Sequence, residues 1–241
     1  AYRGEGQTPD RFPETLLSLN RSNKLRIPFV QGKFNMGGTG VLKFCGKHNL
    51  QLILSRRNPQ FASKNDSSAS RLKWGFTIVR RENPDAGRRS SIYKYLAPLG
   101  AETSPMHGQV LHFLAVQMPI LPELNKPYAR ESAWGTLFKL YEYTASGYSN
   151  THILLADGLM SRVDLLLPDL ALPIRFHECR QFAGHAGSFD TTVNGLGVRL
   201  FDDKAENLEE GFPTSAPISV MDEKMTATIY AFKPKKAEIY R

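Results

Sequence analysis

The stretch Gly32-Lys33-Phe34-Asn35-Met36-Gly37-Gly38-Thr39-Gly40 stands directly before the short apolar run 41–45. It contains four glycines and one lysine but no acidic side chain. Because glycine lacks a Cβ and tolerates positive φ, a backbone of this composition can approach a bulky anion closely. A helix that begins near Gly40 would direct its N–H groups and the positive end of its dipole toward that anion. The stretch therefore predicts a phosphate-binding loop, with a merely flexible loop as the alternative.

Two common phosphate-binding motifs do not match the chain. A Walker A loop has the pattern G-x-x-x-x-G-K-[ST], whereas five residues separate Gly40 from Gly46, and Lys47 is followed by His48. A dinucleotide fingerprint requires a last glycine where the segment that starts at Gly4 has proline. The glycine stretch therefore belongs to neither class.

The composition is that of an ordinary globular protein. Of 241 residues, 41% are hydrophobic and 22% are charged. No apolar run reaches the roughly 20 residues that span a bilayer. Cys45 and Cys179 lie far apart, and the histidines show no metal-ligand spacing. We therefore expect a cytoplasmic protein with no metal site, no disulfide framework and no membrane partner.

The spacing of apolar residues predicts both helices and strands in the first two thirds of the chain. Apolar positions at helical spacing predict helices over 12–19 and 152–167, and a short helix over 39–46 ends at the glycine that closes it. Pro168 ends the second of these helices. Alternation and β-branched residues predict strands over 50–54, 74–79, 110–118 and 136–143.

The character of the sequence changes after Pro168. A short strand is predicted over 174–179, and Asn194-Gly195 predicts a hairpin within 191–200. A second pair of strands, over 218–221 and 225–232, flanks the polar residues 222–224. These features place a domain boundary near 168–173, and the chain divides by this prediction into residues 1–168 and 169–241.

Two motifs resemble those of one ATPase family. Residues 3–7, Arg-Gly-Glu-Gly-Gln, resemble the second nucleotide box, D-x-G-x-G, of the GHKL ATPases. Residues 31–38 are similar to the glycine motif that closes the ATP lid in the chaperone-like branch of that family. The polar residues 21–24 resemble the start of that lid. Farther on, Gly135-Thr136 resembles the G-T box of the same family. The resemblance covers about residues 2–165.

The resemblance implies an α+β fold, a Bergerat-type α/β sandwich in which a mixed sheet carries helices on one face. A smaller α+β domain that relays nucleotide state would begin after it. The implied ligand is ATP with Mg²⁺, which the intact parent protein would bind between sheet, helices and lid. The residues implied to contact the nucleotide are Gly4, Gly6, Ser22, Asn23, Lys33, Gly37, Gly38, Thr39, Gly40 and Thr136.

The chain departs from the family in two respects. Tyr2 stands where the family has the aspartate that reads the adenine amino group, so adenine selectivity is in doubt. The helix that carries the family's catalytic glutamate and its Mg²⁺-binding asparagine is absent from this chain. We therefore assign no catalytic residue and interpret the chain as an ATP-binding segment of a longer ATPase.

The charge of the chain supports a second hypothesis. A formal net charge of +8 suits polyanionic partners, nucleic acids among them. The basic residues are scattered in pairs, such as Arg56-Arg57 and Arg80-Arg81, which do not share one obvious helix or ribbon. The alternative function is therefore a basic nucleic-acid-binding or interaction module without ATPase activity.

Overall fold

The computed structural model describes residues 1–19, 36–61, 70–99, 108–144, 172–182, 185–202 and 207–234, together with the single positions 163, 166, 167, 170 and 236. The chain divides into two compact units, Ala1–Ala145 and Ser146–Arg241. These units are compact parts of the structure, and the domain boundary that the sequence predicts near residue 168 stays a prediction. No helix among the described residues is long and apolar enough to cross a membrane.

An antiparallel sheet organises the first unit. Its strands are β1 (Leu50–Arg56), β2 (Lys73–Glu82), β3 (Ile92–Tyr95), β4 (Leu111–Leu114) and β7 (Gly135–Leu140), and a separate hairpin consists of β5 (Met118–Glu123) and β6 (Lys126–Ser132). The order across the sheet is β3-β2-β1-β7, and β4 also pairs with β2. In this register Ile53 lies opposite both Thr77 and Phe138. Strand β1 therefore lies at the centre of the sheet.

Short helical segments cover one face of this sheet, which we call the helical face. The segments are 3-10 turns at Pro9–Arg11 and Val41–Phe44 and the four-residue helix α1, Gly37–Gly40. They bury Phe12 and Leu42 against Ile53 and Val79 of the sheet. Burying side chains of this size stabilises a fold by about 1.5–3 kcal/mol each. This cluster forms one of the two cores of the first unit.

The β5–β6 hairpin covers part of the opposite face, which we call the hairpin face. Ile120 and Leu121 of the hairpin pack against Leu54, Trp74 and Leu137 of the sheet. The segment that leads into the hairpin is fixed by Arg56, whose guanidinium donates to the carbonyl oxygens of residues 115 and 116 at 2.8 and 2.9 Å. Both faces of the central strand are therefore buried.

The second unit is built from two hairpins and a helix. Strands β8 (Ile174–Phe182) and β9 (His185–Val193) form the first hairpin, and β10 (Thr214–Val220) and β11 (Glu223–Ile229) form the second. The helix α2, Leu196–Asp202, lies between them in the chain. Every residue of β10 is exposed.

The predicted α+β Bergerat-type sandwich is wrong. All strand pairs of the described residues are antiparallel, the second face carries a hairpin, and the longest helix with described bounds is Leu196–Asp202, with seven residues. The physical reason lies in the local sequence: α1 consists mostly of glycine, which is a poor helix former. In the predicted helix 12–19, backbone bonds of mixed spacing replace the regular pattern of a helix. The Thr15 amide donates to the carbonyls of Arg11 and Phe12, and the Leu17 amide donates to the Phe12 carbonyl, so the segment forms turns.

Most predicted strands are confirmed, with shifted ends. The segments 50–54, 74–79, 136–143, 174–179 and 218–221 with 225–232 correspond to β1, β2, β7, β8 and the β10–β11 hairpin. Segment 110–118 contains β4 but ends where β5 begins. The hairpin predicted at Asn194-Gly195 is wrong, because β9 pairs with the preceding β8 and Gly195, at φ 105°, leads into α2. The predicted helix 152–167 lies mostly outside the described residues, although Val163 and Leu166 are helical.

A buried serine joins three parts of the first unit. The Ser55 hydroxyl accepts a hydrogen bond from the Gln7 amide at 2.9 Å, donates to the Gly135 carbonyl at 3.1 Å and lies 2.7 Å from the Thr136 hydroxyl. Both Ser55 and Thr136 are fully buried. Because buried polar atoms need partners, these bonds connect the N-terminal segment, β1 and β7.

We expect Ser55→Ala to lower the free energy of unfolding by about 1–3 kcal/mol, because it leaves buried donors and acceptors without partners. Urea unfolding followed by tryptophan fluorescence measures the change. Ser215→Ala is the matched control, since its hydroxyl lies 3.0 Å from that of Thr228 in an exposed cross-strand pair. The control is expected to change stability by less than about 0.5 kcal/mol. Equal effects of the two substitutions would contradict this assignment.

The pair Lys73–His112 makes the stability of the first unit depend on pH. Lys73 Nζ lies 2.9 Å from His112 Nε2, across the β2–β4 pair. Burial, and second the Lys73 ammonium, hold the pKa of His112 below its ordinary value. The folded state therefore binds this proton less readily than the unfolded chain, so the stabilisation is complete above about pH 6.5 and is lost as the pH falls.

We expect the urea midpoint of the protein to fall between pH 7.5 and pH 5, and His112→Gln to remove the part of that fall which proton uptake by His112 causes. Lys73→Met should keep only the part that burial causes. His48→Gln, at an exposed position, serves as the control and should leave the pH dependence unchanged. An identical pH profile for His112→Gln and the unaltered protein would show that this pair does not matter.

Candidate functional site

A cavity lies on the helical face of the sheet, beside α1. Its volume is about 130 Å³. Its wall is formed on the sheet side by β1, β2, β3 and β7, and on the other side by α1 and the segment 16–19. The lining residues are Leu16, Leu17, Leu19, Gly38, Thr39, Gln51, Ile53, Val79, Tyr93, Lys94, Tyr95 and Phe138. The cavity therefore adjoins the predicted phosphate-binding loop.

The glycines of α1 border open space. A Cβ built on Gly37, Gly38 or Gly40 would meet no atom of the described residues within 4 Å. The backbone is helical there, and the Gly40 amide donates to the Met36 carbonyl at 2.9 Å. Neither backbone conformation nor packing against the described part of the chain therefore demands glycine at these positions. One physical reason for glycine remains: a ligand that binds directly against the backbone of α1 would leave no space for a side chain.

Thr39 lies inside α1, where Met36 is the residue that precedes the helix. Its hydroxyl donates to the Met36 carbonyl at 3.1 Å. Thr39 therefore does not act as the N-cap of this helix. Thr39 nevertheless lines the cavity, as Gly38 does.

The cavity wall is apolar with one buried amide. Tyr93, Tyr95 and Phe138 supply aromatic surface, and Gln51 is 2% exposed. No hydrogen bond to the Gln51 side chain is found within the described part of the chain. The Tyr95 hydroxyl donates to the Gly108 carbonyl, and burial raises the pKa of Tyr95. A mostly apolar lining with a few polar groups, here Thr39, Gln51 and Lys94, is typical of small-molecule sites, although this cavity is smaller than the roughly 300 Å³ at which most such sites begin.

Sequence reasoning missed Gln51, Tyr93 and Tyr95 as candidate site residues. The signal that could have found Gln51 is the alternation along β1, in which Gln51 shares a face with Ile53 and Ser55. The two tyrosines share a face of β3 by the same rule. Which of the two faces of each strand lies toward α1 depends on the order of the strands in the sheet. The sequence pattern does not give that order.

The structure brings together the second nucleotide box and the G-T box, although about 130 residues separate them in the chain. Tyr2 and Thr136 form a two-residue bridge in which each amide donates to the other's carbonyl at 2.9 Å. Neither residue lines the cavity beside α1, and the Thr136 side chain is engaged by Ser55. The predicted contacts of Gly4, Gly6 and Thr136 with a base stay predictions.

The protein's own packing occupies the space beside Gly4 and Gly6. A Cβ on Gly6, at φ 67°, would lie 2.0 Å from the Arg56 carbonyl oxygen, and a Cβ on Gly4 would lie 2.8 Å from the Tyr2 ring. Glycine is therefore required at position 6 by backbone conformation and by the neighbouring strand, whether or not a ligand is bound.

Several predicted features lie outside this geometry. Ser22, Asn23 and Lys33 fall outside the described residues, so their predicted roles in a lid are not placed. Among the residues that the structure describes, no group of three or more histidine, cysteine, aspartate or glutamate side chains could hold a metal ion. The cavity lining contains no carboxylate.

We compared the chain with protein-family models, with curated proteins and with solved structures, and none of the three comparisons gave a match.

We expect Gly6→Ala to lower the free energy of unfolding by at least about 2 kcal/mol, because a side chain at positive φ is strained and the Arg56 carbonyl must move. Chemical denaturation measures the change. Gly87→Ala is the control, since its Cβ would meet only Asp85 Oδ1 at 3.7 Å, an ordinary contact. Unaltered stability of Gly6→Ala would contradict the close approach of residue 6 to β1.

Proposed function

We propose that this chain binds a nucleoside triphosphate, ATP, with the phosphates against Gly37–Gly40 and the base in the adjoining cavity. In this proposal it is the nucleotide-binding segment of an ATPase that shares the GHKL motifs described above. The proposal rests on those motifs and on the local geometry of the site. It makes no use of the Bergerat-type fold.

The observation that carries the proposal is the open space over the α1 glycines, next to a cavity. Three glycines that packing does not require stand where a bulky anion needs close access to the backbone. The residues before and within α1 include no acid that would repel phosphate. The net charge of +8 also attracts an anionic nucleotide to the protein at long range.

The cavity suits the flat, largely apolar surface of a purine. Tyr93, Tyr95 and Phe138 offer aromatic surface for contact with a ring system. Gln51 offers an amide with both a donor and an acceptor, the pairing that adenine's edge accepts. In this proposal Gln51 contributes the base recognition that Tyr2, in place of an aspartate, does not provide.

Mg²⁺ enters the proposal only together with the triphosphate. Magnesium prefers carboxylate and phosphate oxygens, and the described lining offers no carboxylate. The residues therefore do not fit a protein-held metal ion, and no hydrolytic step is assigned to them. A relay to the second unit and a cytoplasmic location are further parts of the proposal.

We expect Gly38→Ala to weaken ATP binding at least about tenfold, because a methyl group would occupy the space that the phosphates need. The same substitution should leave the stability unchanged or raise it by up to about 1 kcal/mol, since alanine is the better helix former. Isothermal titration calorimetry with Mg²⁺ and ATP, and thermal unfolding without nucleotide, measure the two effects.

Opposite signs in these two measurements separate a binding defect from a folding defect. Gly87→Ala, in an exposed turn, is the matched control and should change neither quantity. GTP in place of ATP tests the base. Unchanged ATP affinity in Gly38→Ala, or no measurable ATP binding by the unaltered chain, would overturn the proposal.

A further inference from the structure

Within the described residues, the β5–β6 hairpin covers only half of the hairpin face of the sheet. The hairpin covers the half that contains Leu54 and Trp74, which are buried. In the other half, Leu52 is partly exposed and Ile78 is 36% exposed. This open half presents cations and tyrosines over an apolar floor. We call it the basic patch: Arg80, Lys94, Lys126, Tyr128, Arg130, Lys139 and Tyr141.

The register of the sheet places four of these residues on one face. Leu52 pairs with Ile78 on one side and with Lys139 on the other. One step along, Leu50 pairs with Arg80, and Arg80 pairs with Lys94. The Tyr141 amide donates to the Leu50 carbonyl at 3.2 Å, which continues the row. Directly paired residues point to the same face, so these side chains share the surface of Leu52.

The β6 strand turns its own cations toward the same surface. Arg130 pairs with Leu121, whose side chain is buried against the sheet, so Arg130 lies on the inward side of the hairpin. Tyr128 follows at two-residue spacing on that side. The contact with the sheet confirms this orientation: Lys139 Nζ lies 5.1 Å from the centre of the Tyr128 ring and 5.0 Å from that of Tyr141. The register shifts between Leu121 and Glu123, and Lys126 pairs with Glu123 at the start of β6.

The charge of the patch is strongly one-sided. Two carboxylates share this surface in the described part of the chain: Glu82, which lies 3.0 Å from Lys94 Nζ, and Glu123, which pairs with Lys126. The five cations outnumber them. Arg80, Lys126 and Arg130 are exposed, and Tyr128 is 39% exposed. The patch is therefore complementary to an anion that also carries flat rings.

We propose that the basic patch binds single-stranded nucleic acid. The cations contact successive phosphates, and bases stack on Tyr128 and Tyr141 or lie on the apolar floor of Leu52 and Ile78. Base stacking on aromatic side chains is tolerant of sequence, and a basic groove alone tracks the backbone. Both groups occur together on this surface, which extends across four strands about 4.8 Å apart.

This function is separate from nucleotide binding at α1. The patch lies on the hairpin face, whereas the cavity beside α1 lies on the helical face of the same sheet. Lys94, on the edge strand β3, is the one residue that belongs to both sets, since it also lines the cavity. The other residues of the two sites differ, so the two ligands are expected to bind largely independently. Failure of one proposal leaves the other to be judged by its own experiment.

The test is fluorescence anisotropy of a fluorescein-labelled oligothymidylate of about 12 nucleotides, a length within the range that one binding domain covers. Titration with the full chain at several salt concentrations gives the affinity and its salt slope. We expect Tyr128→Leu to weaken binding about 5- to 100-fold through lost stacking. Lys139→Gln and Arg80→Gln should each make the slope of log K against log salt shallower by about 0.7.

Lys224→Gln is the matched control, because it removes the same charge from an exposed position in the second unit. An equal loss in Lys224→Gln and Lys139→Gln would overturn the proposal, as would unchanged binding in Tyr128→Leu. Equally tight binding of a duplex, or equal competition by polyglutamate, would show that the patch attracts any polyanion by charge alone. Either result would contradict the proposed binding of single-stranded nucleic acid. ATP added at constant free Mg²⁺ and constant ionic strength should leave the anisotropy unchanged, and displacement of the oligonucleotide under these conditions would contradict a separate site.

Discussion

The pairing of β1 with β2 on one side and β7 on the other is the constraint on which the first unit depends. Residues that alternate along β1 are buried on both faces: Ile53 and Ser55 on the helical face, Leu54 and Arg56 on the hairpin face. A shift of one residue in this register would exchange the two sets. It would place the Arg56 guanidinium in the core around Phe12, and a buried charge without partners is very costly.

The two faces of this one sheet have different chemistry, and each supports a different proposed ligand. On the helical face, short segments leave a small cavity against α1, where glycines expose the backbone. On the hairpin face, a two-stranded cover is too narrow for the sheet and leaves cations and tyrosines exposed. Both proposed sites thus lie where the described short helices and the short hairpin do not cover the whole width of the sheet.

Strand positions in this chain were accessible from sequence, and the architecture was not. Alternation predicts β1, β2 and β7, because the pleat forces every second side chain to one face. The same pattern does not report which strands pair, so the family resemblance suggested a mixed sheet with helices. The prediction of a helix at 12–19 failed because the apolar spacing reports burial and not backbone bonding. Phe12, Leu16 and Leu17 do pack in the core, but the Leu17 amide donates to the Phe12 carbonyl in a turn. At Asn194-Gly195 a local turn signal was overridden by the pairing of β9 with β8.

The sequence by itself determined the composition of the glycine stretch, the excess of positive charge and the places where strands run, because these depend on neighbouring residues. Only the tertiary structure decided that Gly38 borders a cavity while Gly6 is pressed against Arg56. It also decided that Arg80, Lys94 and Lys139 share a surface, although the sequence scatters them. The physical reason is that spatial neighbours in an antiparallel sheet are fixed by register between strands distant in the chain, and local spacing carries no information about that register.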